Sequence, residues 1–122
     1  ASGVPGLEVM LPLFVKGALE RDIPLTWAAK LMAENPARHF RIDHAKGALS
    51  AGKDADIAVL FPRAKRYDAA ASGHNVVGWS PYNGIELPWT VGLTYLRGQQ
   101  VFDGTEVGAP GFGQFVRPEI SA

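Results

Sequence analysis

Hydrophobic positions in the first third of the chain recur at helical spacing. Apolar residues that share one face of a helix are Leu7, Met10, Leu11, Phe14, Val15 and Ala18. Pro12 removes one backbone donor from this run, so we expect the helix to begin late. Pro24 suits the first turn of a second helix, where a missing N–H breaks no bond. Asn35 and Pro36 predict a restart, with Asn35 as the cap of a short third helix.

The second half of the chain has short apolar runs instead. The run at 56–61 predicts a buried strand, and the β-branched and aromatic residues at 90–96 predict another. Arg97 and Gly98 predict a turn that returns the chain as a paired strand at 100–102. The long connection at 69–88 is functional, disordered or packed on another part of the protein. Helices followed by strands indicate an α+β arrangement, or two halves that belong to different domains.

Composition excludes several classes of protein. The 122 residues are 47% hydrophobic and 20% charged, a balance typical of globular domains. Twelve basic residues balance twelve acidic ones, which predicts no binding of nucleic acid and no association with a membrane. The chain has no cysteine, which excludes disulfides and thiolate metal sites and fits a cytoplasmic location. It begins on Ala1 without methionine, and we interpret this start as a cut.

Six motifs then resemble one known family, in the same order along the chain. They are Ser-Gly-Val-Pro-Gly-Leu-Glu at 2–8 with Met-Leu-Pro-Leu at 10–13, Asn-Pro-Ala-Arg-His-Phe at 35–40, Lys-Gly-Ala-Leu-Ser-Ala-Gly-Lys-Asp-Ala-Asp-Ile at 46–57, His74 with Ser-Pro-Tyr-Asn-Gly at 80–84, Leu-Arg-Gly at 96–98, and Gly-Phe-Gly-Gln-Phe-Val-Arg at 111–117. Together they resemble the C-terminal end of a cyclic-amide hydrolase of the amidohydrolase superfamily, the group of hydantoinase, dihydropyrimidinase, dihydroorotase and allantoinase. The first motif is closer to dihydroorotases, whereas the loop and tail motifs are closer to hydantoinases or allantoinases.

This resemblance implies a fold for each half of the chain. Residues 1–45 would be the last helices of a (β/α)₈ barrel, and residues 46–122 would be the C-terminal strands of a small composite β-sandwich with an extended tail. Active sites of such barrels lie on loops at the C-terminal ends of the strands. In this chain only the loop at 1–6 would reach that face. The resemblance implies that the backbone of Ser2 and Gly3 touches the ring amide of the substrate; the alternative is a plain loop at a chain end. Hydantoinases usually have Asn at the position of Ser2.

The family's reaction resembles hydrolysis of a cyclic amide by a hydroxide between two zinc-type divalent metals, with a carboxylated lysine among the ligands. All of the family's ligands precede the matched segment, so we expect this chain to bind no metal and to hold no catalytic residue. His39 would then cover the helix beside Phe40, His44 would lie in a polar turn, and His74 would order the long loop.

Two further groups of residues have alternative interpretations. Asp54 and Asp56 could be paired carboxylates for acid–base chemistry, but a turn and the start of a strand explain them better, and Glu8 suits the first turn of a helix. Aromatic side chains concentrated in the loops could form a binding surface, and we expect instead that they are buried against a neighbouring domain or subunit. These aromatic residues are Trp79, Tyr82, Trp89 and Phe112.

Two functions remain open from the sequence. In the first, the chain is part of a metal-dependent cyclic amidohydrolase, its partners are the remainder of the barrel and a small cyclic amide, and the chain alone is inactive. The alternative is a non-catalytic assembly module that acts with a separate barrel subunit. Strands that normally pair with a missing segment would leave open edges, so we predict a homo-oligomer.

Overall fold

The computed structural model describes residues 3–120, and these form two compact units that alternate along the chain. The first unit contains residues 3–24 and 61–90, and the second contains residues 25–60 and 91–120. Helices precede strands, in agreement with the predicted mixed architecture: α1 (Met10–Leu19), α2 (Thr26–Ala29), α3 (Asn35–His39), β1 (Ile57–Phe61), β2 (Lys65–Arg66), β3 (Glu86–Leu87), β4 (Thr90–Leu96) and β5 (Gln99–Phe102). The division into barrel helices at 1–45 and sandwich strands at 46–122 stays a prediction.

Helix α1 begins late, as Pro12 predicted. A single 3₁₀ turn at Leu7–Val9 precedes it, and Pro12 lies in the first turn, where its missing N–H breaks no intrahelical bond. The predicted apolar face is wrong at its start, because Leu7 is 85% exposed whereas Val9 is 2% exposed. Val9 and the buried Pro12 are three residues apart and therefore lie on the same face of the helix.

The core of the first unit is a small apolar cluster, here called the Val9 cluster. Its buried members are Val9, Tyr67, Ala69 and Leu87, and the partly buried Leu13, Tyr82 and Ile85 pack against it. Strands β2 and β3 pair antiparallel, with Lys65 opposite Leu87. The pairing brings the two ends of the long 69–88 connection together, and both ends pack on the chain's own core, whereas Val76, Val77 and Trp79 in the middle are exposed.

The second unit begins with a helix that does not break where the sequence predicted. A π turn at Lys30–Glu34 joins α2 directly to α3, and Asn35 has helical angles instead of those of a cap. The Asn35 N–H donates to the Lys30 carbonyl, five residues back. This wider turn accommodates Pro36, which has no N–H and whose ring would clash with a carbonyl in a regular α-helix.

Three strands of the second unit form a sheet in the order β1-β4-β5. Arg97 and Gly98 both have positive φ, at 48° and 79°, which suits a two-residue hairpin between β4 and β5. The predicted strands and turn are confirmed here, with Leu96 opposite Gln99. The predicted burial of the first strand is wrong, because every residue of β1 is partly or fully exposed. Within residues 3–120, no helix has the length and apolar character needed to cross a membrane.

Candidate functional site

The predicted substrate loop is only partly within the described residues. Ser2 lies outside them. Gly3 is exposed and has φ of +112°, a conformation that side chains other than glycine rarely adopt. Among residues 5–120, no atom comes within 4 Å of the position that a Cβ on Gly3 would occupy. The backbone at Gly3 is therefore open, as a backbone contact to a ligand requires.

A buried serine holds the loop two residues further on. The Ser80 hydroxyl donates to the Pro5 carbonyl at 2.6 Å and also accepts the Tyr82 N–H at 3.3 Å. Ser80 is only 6% exposed, so water does not easily replace either hydrogen-bond partner. The loop is thus tied to the connection between β2 and β3.

The ring of Tyr82 forms a second contact with the loop. A Cβ at Gly6 would lie 2.9 Å from Cε2 of Tyr82, closer than side chains approach one another. The φ of Gly6 is −148°, which any residue can adopt. A side chain at this position would therefore require the Tyr82 ring to shift.

The helix that follows the loop is tied by a third side-chain contact. The Tyr67 hydroxyl donates to Oε2 of Glu8 at 3.1 Å, and Tyr67 itself is 6% exposed. Burial is the main cause that raises the pKa of this hydroxyl above its ordinary value, so Tyr67 remains a neutral donor. Glu8 lies in the 3₁₀ turn and serves as an acceptor, which agrees with its predicted structural role.

The 80–85 segment is itself fixed to the core of the first unit. Oδ1 of Asn83 accepts the Ala69 N–H at 2.8 Å, and the Gly84 N–H donates to the Tyr67 carbonyl at 2.8 Å. The Tyr67 N–H in turn donates to the Ile85 carbonyl at 2.9 Å. The sequence predicted burial for Tyr82 but no role for Ser80, Asn83 or Gly84, although the resemblance of the 80–84 motif to the family was a signal that could have indicated one.

Asp54 and Asp56 are not an acid–base pair, because Lys46 lies between them. Its ammonium is 2.7 Å from Oδ2 of Asp54 and also binds Oδ2 of Asp56, while Oδ1 of Asp56 accepts the Arg97 N–H at 2.8 Å. Burial disfavours the charge on Asp56, but the hydrogen bonds from Lys46 and Arg97 outweigh it and lower the pKa of its carboxyl. Burial also disfavours the Lys46 charge, and its bonds to the two carboxylates raise the pKa of the ammonium. The two carboxylates therefore have a structural role, as predicted. Their contact with Lys46 was not part of that prediction.

The three histidines lie apart in structural contacts. His39 meets Phe40 edge-on with ring centroids 5.1 Å apart, as predicted. Nδ1 of His44 lies 3.7 Å from Glu119, and the His74 N–H donates to Oγ of Ser72 at 3.3 Å within the long connection. Across residues 3–120, no three His, Asp or Glu side chains come together in a group that could hold a metal ion.

The loop aromatics differ in exposure. Tyr82, Trp89 and Phe112 are partly buried, and the Arg97 guanidinium lies 4.3 Å above the Phe112 ring centroid. Trp79 is 49% exposed. Burial of these side chains against a neighbouring domain or subunit stays a prediction.

Comparison with known sequences gives consistent matches over nearly the whole chain. The sequence model of the amidohydrolase family matches residues 7–101. A D-hydantoinase from Rhizobium radiobacter is 36% identical over 115 residues, which are 93% of this chain and 25% of that protein. A dihydroorotase from Methanosarcina mazei is 34% identical over 117 residues, which are 94% of this chain and 25% of that protein.

Solved structures give the same result. A D-hydantoinase structure superposes with a TM-score of 0.89 at 31% identity, covering 98% of this chain and 26% of that chain. An L-hydantoinase (dihydropyrimidinase) from Arthrobacter aurescens superposes with a TM-score of 0.79 at 33% identity, covering 91% and 24%. This chain thus spans about a quarter of the length of the relatives that it matches.

Proposed function

The chain belongs to the amidohydrolase family, and from this premise we propose that it is the C-terminal part of a metal-dependent hydrolase that cleaves the C–N bond of a cyclic amide. The observation that carries the proposal is the identity of 36% to a D-hydantoinase and 34% to a dihydroorotase across more than nine-tenths of the chain. The substrate would be a hydantoin, a dihydropyrimidine or dihydroorotate. Both relatives are named as enzymes, which favours the hydrolase over the assembly module.

The metal centre would lie outside this chain. Residues 3–120 do not fit a two-metal site, because they gather no group of three His, Asp or Glu side chains. The two zinc-type ions and the carboxylated lysine that the family resemblance implies would therefore be held by the remainder of the barrel. The role left to this chain is to bind and orient the substrate.

The backbone of Ser2 and Gly3 would perform that role by contacting the ring amide. The exposed Gly3, with open space beside its Cα and an anchored chain two residues further on, supports this assignment. Backbone donors and acceptors are present whatever the side chain, so Ser2 in place of the usual Asn is compatible with it. A homo-oligomer and a cytoplasmic location belong to the same proposal.

The proposal is tested with the complete natural polypeptide that contains this chain. We expect it to hydrolyse at least one of hydantoin, dihydrouracil, dihydroorotate and allantoin, to lose this activity on chelation, and to regain it with zinc. The 122-residue chain, prepared alone, is the control and should be inactive. Metal-dependent turnover by the chain alone, or no turnover of any of the four rings by the complete polypeptide, would contradict the proposal.

A further inference from the structure

We propose that Ser80 and Tyr82 are positioning residues that fix the loop carrying Gly3 and thereby set how tightly the ring amide is bound. The inference rests on the proposed function of that loop. Both residues lie in the long connection between β2 and β3. Ser80 is 75 positions away from Pro5 in the sequence. Neither residue touches the substrate in this account; each acts through the loop.

The first argument is the burial of the Ser80 contact. Ser80 is the buried polar residue among 3–120, at 6% exposure, and its hydroxyl joins the Pro5 carbonyl to the Tyr82 N–H. A buried hydroxyl with both a donor and an acceptor partner has one favourable orientation. Without it, the carbonyl of Pro5, a partly buried residue, would lose the donor that Ser80 supplies. The serine therefore holds the loop in one position.

The second argument is the fit between Tyr82 and Gly6. The ring leaves no room for a Cβ on Gly6, so it sets how far the loop can move towards the core. The Gly6 carbonyl also accepts the Val9 N–H at 3.1 Å, which begins the 3₁₀ turn. Two contacts thus fix Gly6: the Tyr82 ring lies against its Cα, and the Val9 N–H at the start of the helix bonds its carbonyl.

The third argument is the rigidity of the support. Tyr82 packs against the Val9 cluster, and Asn83 and Gly84 bond to Ala69 and Tyr67, which are 1% and 6% exposed. A loop held by such a support is pre-organised, so less conformational entropy is lost when a ligand binds to it. Gly3 lies two residues before the anchor, and no atom of residues 5–120 lies within 4 Å of its Cβ position, which leaves this side open to a ring amide.

The test uses the complete enzyme with Ser80→Ala. A loop that binds the amide equally in the ground and transition states affects KM and leaves kcat nearly unchanged. We expect KM to rise about tenfold with kcat changed less than about threefold, because one buried hydrogen bond is lost. Ser80→Thr retains the hydroxyl and should recover most of the loss. A variant that merely unfolds part of the enzyme would lower kcat per total protein without raising KM.

Gly6→Ala tests the contact with Tyr82 independently. The added methyl pushes against the ring, so KM should rise as in Ser80→Ala, and adding Tyr82→Leu to Gly6→Ala should reverse part of the rise by removing the obstruction. Gly17→Ala is the matched control, since its Cβ would meet only the end of the Arg21 side chain at 3.4 Å. Ser50→Ala is the control for Ser80, because Ser50 is exposed and lies in the second unit, away from the loop.

Hydrogen exchange of the amides at 6–9 gives a readout that needs no turnover. We expect these amides to exchange several-fold faster in Ser80→Ala than in wild type or in Ser50→Ala. If wild-type enzyme turns over a cyclic amide and Ser80→Ala has an unchanged KM, this inference is overturned and the proposed function stands. If wild-type enzyme turns over none of the four rings, the proposed function fails, and the role of Ser80 in amide binding falls with it. Unchanged exchange at 6–9 also overturns the inference.

Discussion

Different kinds of contact stabilise the interior of each of the two units. In the first unit, Val9 and Leu87 are 2% and 4% exposed and form an apolar cluster, while the buried Ser80 adds a neutral hydrogen bond. In the second, Lys46 joins two carboxylates that are each 32% exposed. The position of the loop proposed to bind substrate therefore depends on packing and should be sensitive to changes in side-chain volume. The stability of the second unit depends on ion pairs and should be sensitive to pH and salt.

The largest expected effect is from loss of volume in the Val9 cluster. Leu87→Ala should cost about 2–4 kcal/mol of local stability, because Leu87 is 4% exposed and its removal leaves a cavity. The measurement is hydrogen exchange of the amides in β2 and β3 in the complete polypeptide. Leu87→Met preserves the volume and is the control, with an expected cost under about 1.5 kcal/mol. Equal losses in the two variants would show that packing does not hold this unit.

An intermediate effect is expected in the charged network of the second unit. Asp56→Asn should cost about 1–3 kcal/mol, because Asp56 bonds both Lys46 and the Arg97 N–H. Asp54→Asn removes only the ion pair and should cost about 0.5–1 kcal/mol. Exchange of the amides in β4 and β5 measures both. A larger loss for Asp54→Asn would contradict the assigned roles.

The smallest effect is the pH dependence that Asp56 and Lys46 give to the second unit. The pKa of Asp56 is lowered in the folded protein, so its contribution is complete above its usual value of 3.8 and is lost as pH falls through the lower folded pKa. The pKa of Lys46 is raised, so its contribution is lost as pH rises above 10.5 through the folded pKa.

Exchange in β4 and β5 should therefore lose protection in acid more steeply in wild type than in Asp56→Asn. The difference should stay below about 1 kcal/mol, since both carboxylates are partly exposed to solvent. The amides of β2 and β3 provide the internal reference, because Asp56 and Lys46 belong to the other unit. Identical acid profiles for wild type and Asp56→Asn would contradict the pKa assignment.

Local patterns in the sequence predicted the parts of the fold that local chemistry determines. Thr90–Leu96 is a strand because its β-branched and aromatic side chains suit a sheet, and Arg97 with Gly98 adopts the positive φ that a tight hairpin needs. The delayed start of α1 follows in the same way from Pro12. In each case the deciding residues are neighbours in the chain.

The features that the sequence did not reveal depend on distant or competing contacts. Asn35 is a residue type typical of helix caps, but the π turn before it allows the helix to continue past Pro36. Ser80 bonds a carbonyl 75 positions away, and no periodicity or local motif predicts such a partner. Lys46 was recognised only as part of a motif, although it is the residue that joins Asp54 and Asp56.

Native mass spectrometry of the polypeptide isolated from its source tests the central claim most directly, because it measures chain mass and bound metal together. This chain spans 25% of the Rhizobium radiobacter D-hydantoinase, so the account predicts a polypeptide of about four times this chain's mass that carries two divalent ions. A polypeptide of this chain's own mass, without metal and without a separate barrel subunit, would contradict it.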